Sequence, residues 1–362
     1  MKAVHKNHYC NLPMIKSRNF EVGMNPIRME AIIMMEKKWV AGTVLKYYFF
    51  KDNSFFSTVT DSTGNQRNNL WKGTNTEEVA VKNGFKKWKS LGIGLEFEET
   101  SNILESHIRI GFAKGEGAWS YVGRDSWGIP KEQRTMNFGW DIINDQDTIL
   151  HEIGHALGLP HEHQNPNAGI IWNEEAVYNE LAGAPNFWSR DKTFHNIIRK
   201  INPDIVQGSS WDPNSIMHYP FGNGMIMSPS QYQNGLFPED GLSERDITWV
   251  KQFYPKIDKR TFLDIKPFHS EVISLANGEQ ANFVFIPEET RTYTIQTFGF
   301  MDTVMVLSEV VDGENEYISG DDDSGEDRNS HINLKLLKNK KYIINLKLYY
   351  KTSAGNTCIM VW

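Results

Sequence analysis

The sequence predicts an α+β domain, a twisted sheet packed with a histidine-bearing helix, followed by an all-β sandwich. Three observations carry this. In roughly the first 256 residues, short β-branched and aromatic runs are interspersed with amphipathic helical patterns. From about Phe262 the texture changes to short alternating runs separated by Gly, Asn and Asp turns. Third, four of the eleven histidines crowd into "HEIGHALGLPHEH", His151 to His163.

A chain of 362 residues exceeds one ordinary core and suggests two domains. Its net charge of -7 gives no general attraction for nucleic acid, which is not expected as a partner. No apolar run approaches the roughly 18 residues of a membrane span, so no membrane insertion is expected. The first residues, MKAVHKNHYCNLP, lack the apolar region of a signal peptide. Either the chain stays inside the cell or it leaves by a route the sequence does not display. Cys10 and Cys358 lie near opposite ends, so no disulfide framework is expected. A monomer is the expectation.

Residues 1–38 show weak periodicity and form an N-terminal segment. The first domain is expected over 39–256. "WVAGTVLKYYFF" reads as a strand from Trp39. In "TNTEEVAVKNGFKKWKSL", Thr74 and Glu77 can form a capping box, and Val81, Phe85 and Trp88 share one helical face despite Gly84. "LEFEE", "HIRIGF" and "GAWSYVG" read as extended. "DTILHEIGHALGL" is helical, with Asp147 near its start and Gly158 near its end. "LSERDITWVKQFY" is a further helix, capped by Ser243, buried along Ile247, Val250 and Tyr254, and stopped by Pro255. The sandwich is expected over 262–362.

His151 and His155, four apart on a helix, lie one turn apart on one face and can bind a single ion. Glu152 projects beside that ion, where a general base for a metal-activated water must stand. Gly158 can turn the chain with positive φ and bring His161 back as third ligand. Three neutral imidazoles with an open fourth position describe a catalytic zinc site. A lone H-E-x-x-H also occurs on ordinary amphipathic helices, but the spacing through to His161 is far more specific.

The full H-E-x-x-H-x-x-G-x-x-H, with "NSIMHYP" at 214–220, resembles the metzincin signature and its Met-turn. The S-x-M-H-Y form, with Glu162 after the third histidine, resembles the astacin family, over roughly residues 39–256. The resemblance implies a metzincin catalytic domain and a zinc metalloendopeptidase acting on proteins or peptides. It implies Met217 as the floor beneath the histidines. Tyr219 becomes a hinged zinc ligand that swings to hydrogen-bond the oxyanion, and Trp119, Ser120 and Tyr121 an edge strand that pairs with substrate. Glu162 would contact a new N-terminus only in a trimmed chain.

The chain departs from the family in lacking its disulfides, with Ala118 at one cysteine position. It also reads Asn165, Pro166, Asn167, Ala168, Gly169 where an Arg-x-Asp-Arg-Asp run is usual, so the family's substrate charge preference does not carry over. Residues 1–38 read as a candidate pro-segment without the family's zinc-binding aspartate. Cys10 in "HYCNLPM" faintly resembles the cysteine switch of matrixin-type pro-segments; the alternative is a plain free cysteine. His5 and His8 read as solvated tail residues, and His107, His163, His195, His218, His269 and His331 as structural or surface residues.

The C-terminal block resembles the bacterial pre-peptidase C-terminal domain, in "GFMDTVMVL", "DDDSG" and "YIINLKL". Asp321, Asp322, Asp323, Glu326 and Asp327 are candidate calcium ligands, the alternative being a solvated acidic turn. The function expected is a zinc-dependent endopeptidase with Glu152 as general base. The alternatives are a single-target protease acting as toxin or effector, and a non-catalytic binding module, against which the intact Glu152 argues. The resemblances point to a bacterial chain that is secreted or delivered by a non-classical route, with the cytoplasm left open.

Overall fold

The computed structural model describes residues 9–14, 37–39, 43–60, 64–201, 211–254, 256, 262–322, 324–349 and 354–362. The chain divides into two compact units, one of residues 1–16, 43–201 and 210–248, the other of 17–42, 202–209 and 249–362.

In the first unit, β1 (Val44–Phe49) starts later than Trp39, and β2 (Phe56–Thr60) and β3 (Gln66–Leu70) form an antiparallel hairpin. Helix α1 (Asn75–Ser90) begins on the expected capping box of Thr74 and Glu77 and buries Val81, Phe85 and Trp88. Gly84 belongs to the same buried face: a Cβ there would collide with Ile149, so the glycine allows close approach between helices rather than merely being tolerated. Strands β4 (Glu96–Glu99), β5 (Ile108–Gly111), β6 (Trp119–Ser120) and β7 (Met136–Asn137) complete a sheet of order β4-β1-β5-β7-β6. Strand β6 is its antiparallel edge.

Helix α2 (Gln146–Ala156) carries the first two histidines. Its cap is Asp145, which accepts from Thr148 N; Asp147, two residues further in, instead accepts from Gly241 N. Next come β8 (Ile171–Trp172), α3 (Glu174–Ala182) and α4 (Arg190–Thr193), which runs into a π-helical turn at Phe194–Ile198. Strand β9 (Ile226–Ser228) pairs with β8. Helix α5 (Glu244–Phe253) is capped by Ser243, whose hydroxyl accepts from Asp246 N while Ser243 N donates to the Asp246 carboxylate. An apolar cluster including Trp172, Leu181, Trp188, Ile197 and Phe221 also takes in Tyr9 and Cys10, so this part of the N-terminal segment is core.

The second unit contains the expected sandwich. One sheet comprises β10 (Leu263–Asp264), β12 (Gln280–Phe285), β14 (Thr303–Val311), β15 (Glu314–Asp321) and β17 (Tyr342–Leu348). The other comprises β11 (Ser270–Leu275), β13 (Arg291–Phe298), β16 (His331–Leu336) and β18 (Gly355–Val361). Phe283, Phe285, Ile295, Leu307, Ile344 and Ile359 fill the core through period-2 alternation. The units do not follow the boundaries expected at 38/39 and 256/262. Trp39 N donates to the Tyr254 hydroxyl, and the Lys38 ammonium lies 4.9 Å from the Phe253 ring centre. Lys347, on β17, is likewise buried, and burial pushes its ammonium down to about 7.

The acidic loop gives no support to calcium. Asp321 is already engaged, accepting from Ser324 N, Ser324 Oγ and His331 N, which makes it a turn-forming carboxylate. Glu326 is exposed; Asp323 lies outside the described residues, as do His5 and His8. Among the described residues, no helix is long and apolar enough to cross a membrane.

Candidate metal centre

The helical spacing brings His151 and His155 together, their Nε2 atoms 3.0 Å apart. Gly158, at φ +90°, reverses the chain as expected, and His161 Nε2 arrives 3.0 Å from His155 Nε2. The Nδ1 atoms of His151 and His155 face the carbonyls of Ile216 at 2.7 Å and Leu159 at 2.8 Å. A carbonyl only accepts, so each Nδ1 carries the proton and each Nε2 presents a lone pair. Burial keeps the rings neutral: His151 is pushed down to about 4, and His155 and His161 well below the ordinary histidine range. Neutral imidazoles converging on one point are a fit donor set for zinc.

Cys10 completes a four-donor cluster, with its Sγ and one ring nitrogen of each histidine within 4.8 Å of one another. Its carbonyl accepts from the Tyr219 hydroxyl at 2.7 Å, and its thiol donates to Glu152 Oε2 at 3.5 Å. Glu152 stands beside the histidines, fully buried, its Oε1 without a partner among the described residues. Burial pushes its carboxyl up to about 8, against the hydrogen bond from Cys10, which lowers it. The Cys10 thiol is pushed well up by burial and then by Glu152.

Met217 lies buried beneath α2. A Cβ on Gly154 would collide with its sulfur, so the second variable residue of H-E-x-x-H is constrained to be small. The turn bearing Met217 is held from both sides. Glu162 N donates to Met217 O at 3.0 Å, and Asp246 accepts from Ser215 Oγ and Ile216 N, each at 2.7 Å. Glu162 Oε1 accepts from Asn165 Nδ2 and Asp212 N, so its carboxylate is committed to internal donors. Burial pushes it up to about 7.

The Tyr219 hydroxyl also lies 2.5 Å from His161 Nε2, and its ring stacks on His163 with centres 4.7 Å apart. His163 Nε2 contacts Asn196 O, and His218 Nδ1 contacts Tyr219 O. Both are structural, as expected, but they line the site, which their spacing could not reveal. His107 accepts from Lys46 N within the sheet.

Strand β6 carries Trp119 and Ser120, two of the residues expected to pair with substrate. Trp119 is half-buried, its ring 5.4 Å from the Arg134 guanidinium; Ser120 is buried, and Tyr121 N is tied to Thr135 O. Described residues of the N-terminal segment meet this edge and two asparagines elsewhere. Asn11 N donates to Ala118 O at 3.2 Å, Tyr9 N to Asn186 Oδ1 at 3.3 Å and Leu12 N to Asn196 Oδ1 at 3.0 Å. The sequence motifs pointed to Trp119, Ser120 and Tyr121, with Ala118 inside the same edge motif, but to neither Asn186 nor Asn196. Asn186 and Asn196 lie 177 and 184 residues from their partners, with no local signal to mark them.

Known proteins share this architecture. The profile of the Astacin peptidase family matches residues 68–255, just over half the chain. Zinc metalloproteinase nas-36 of Haemonchus contortus is 23% identical over 227 residues, 60% of this chain and 31% of that protein. Tolloid-like protein 1 of Homo sapiens is 31% identical over 153 residues, 38% of this chain and 13% of that protein. The chain thus spans less than half the length of these relatives. Among solved structures, myroilysin aligns with a TM-score of 0.51 at 28% identity, covering 61% of this chain and 97% of that one.

Proposed function

The chain belongs to the astacin family of peptidases, and from that premise we propose that it is a zinc-dependent endopeptidase held latent by its own N-terminal segment. The observation that carries this is the convergence of His151, His155 and His161 Nε2 with Cys10 Sγ, beside the buried Glu152. When bound, zinc supplies a Lewis acid for water and the scissile carbonyl. Glu152 takes the proton of the attacking water and delivers it to the leaving amine, a task that suits a carboxyl raised by burial. The Tyr219 hydroxyl donates to the oxyanion as charge develops there. Met217 and Gly154 fix the height of the histidine helix above the Met-turn.

Latency follows from who occupies these groups. Cys10 engages Glu152 through its thiol and Tyr219 through its carbonyl, so both proposed catalytic side chains are bound by the segment. Ala118 O, which a substrate backbone would use, is taken by Asn11 N.

The test is full-length, zinc-loaded protein incubated with a quenched peptide library and with casein, before and after proteolytic trimming of residues 1–38. Glu152→Ala and a zinc chelator are the controls, and the N-terminus is read by mass spectrometry. Cleavage that appears on trimming and is lost in both controls supports the reading. No cleavage of any peptide or of casein, with zinc bound and the segment removed, overturns a general peptidase and leaves a single-target protease or a binding module. Cleavage of one protein partner alone narrows it to a single-target protease.

A further inference from the structure

Tyr9 is 2% exposed, although residues 9–14 form no helix or strand. Its ring meets Tyr219 edge-on at 5.2 Å, Phe221 at 5.9 Å and Trp188 at 6.3 Å, centre to centre. Trp172 backs Phe221, centres 4.7 Å apart. Three aromatic side chains thus form a socket around one aromatic ring, two of them in the edge-to-face geometry that such rings prefer. The socket adjoins the candidate metal centre, because Tyr219 is both a wall of it and a neighbour of His161.

The rest of the segment is held differently. Asn11, Leu12 and Pro13 are only half-buried and Met14 is exposed. The contacts to Ala118, Asn186 and Asn196 all go to backbone N–H groups, which any non-proline residue supplies. Asn196 is itself fixed by its Nδ2 donating to Lys192 O at 3.0 Å. Among residues 9–14, therefore, Tyr9 and Cys10 have buried side chains, Leu12 packs partly against the same cluster, and the remaining contacts are made by the main chain. Cys10 is the residue facing the histidines, and Tyr9 is its immediate neighbour.

We propose that the socket of Trp188, Tyr219 and Phe221 is a substrate subsite for an aromatic side chain directly flanking the cleaved bond, and that Tyr9 occupies it as a stand-in. This deepens the peptidase reading and rests on it. The substrate class is then polypeptides carrying Tyr, Phe or Trp at one fixed position beside the scissile bond, with Asn186 accepting that residue's backbone N–H. A socket of this size leaves a smaller side chain with unfilled volume and fewer contacts, and it gives a charged one no water.

Two measurements test this. First, full-length zinc-loaded Cys10→Ala protein is given quenched peptides in which each position flanking the cleaved bond carries Tyr, Phe, Trp, Leu, Ala, Asp or Lys. An aromatic residue at one of the two positions is expected to raise kcat/KM by about tenfold or more over alanine, the range for filling an apolar pocket. Trp188→Ala should shrink that ratio. Second, in the otherwise unaltered full-length chain, the alkylation rate of Cys10 reports release of the segment without reference to activity. Tyr9→Asp and Tyr9→Ala should speed labelling, and Tyr9→Phe should leave it nearly unchanged. Cleavage with no aromatic preference at either position overturns the subsite while leaving the peptidase reading intact. Labelling indifferent to all three Tyr9 variants overturns the anchoring role of the socket. No cleavage of any peptide, of casein or of any partner protein, with zinc bound and residues 1–38 trimmed away, overturns both readings together.

Discussion

The Cys10 thiol reaches the Glu152 carboxylate at 3.5 Å, joining residues 142 apart in the chain. That bond sets a proposed latch against the proposed base, and its removal has a measurable result. Full-length Cys10→Ala is expected to cleave peptides about tenfold faster than the unprocessed wild type, since loss of a contact worth about 1.4 kcal/mol raises the open fraction by that factor. Initial rates on untrimmed protein decide the matter; equal rates would place the latch elsewhere.

Tyr219 offers a separable test. On a Cys10→Ala background, Tyr219→Phe removes the hydroxyl while keeping the ring that stacks on His163. The expectation is a fall in kcat of about a hundredfold with KM nearly constant, as for one oxyanion donor. Zinc content measured alongside should not change, and a parallel loss of metal would assign the hydroxyl to ligation instead.

Gly154 predicts a stability effect from packing alone. Gly154→Ala drives a methyl into Met217 Sδ and should destabilise the protein by about 1–3 kcal/mol, seen as a lower urea midpoint. The double variant Gly154→Ala with Met217→Ala should recover part of that loss, because the two sites are in contact. Strict additivity would rule out the collision as the cause.

Lys347 predicts a pH dependence in the second unit. Its folded-state value of about 7 lies below the ordinary 10.5, so between these values the unfolded chain binds more protons and stability rises with pH. Lys347→Met removes that slope. Its stabilising effect should be largest below about pH 7 and fade as pH rises towards 10.5. Thermal melts of variant and wild type across that interval measure the difference; a gap that stays constant would show that the ammonium is not desolvated.

What the sequence disclosed about the site was what local geometry can encode. His151, Glu152 and His155 follow from helical period, and His161 from a glycine turn, so their meeting needs no knowledge of the distant chain. The sandwich was legible for the same reason, because alternation fixes which side chains face inward. Tyr9, Asn186 and Asn196 were not legible, since their contacts close across 177 and 184 residues and involve residue types common in any loop. Gly84 read as a mere exception on a helical face, and Gly154 carried no signal of its own. Only their neighbours Ile149 and Met217 reveal them as requirements for close approach. The calcium reading found no support, because an aspartate sequence does not say whether its oxygens are already engaged, as those of Asp321 are by Ser324 and His331.

The edge strand β6 is two residues long, and Ala118 just before it offers a carbonyl to whatever lies alongside. The interior of a helix in a folded protein has already committed its amide hydrogens within itself, and an interior strand has shared them with its neighbours. Neither has one left for Ala118. Stretches of chain that are locally unwound, such as exposed loops, tails or regions that breathe open, present such N–H groups most readily. On the proposed peptidase reading, the choice of target would depend on the conformational freedom of the substrate as well as on its side chains, and a tightly folded protein carrying the proposed aromatic motif would remain intact.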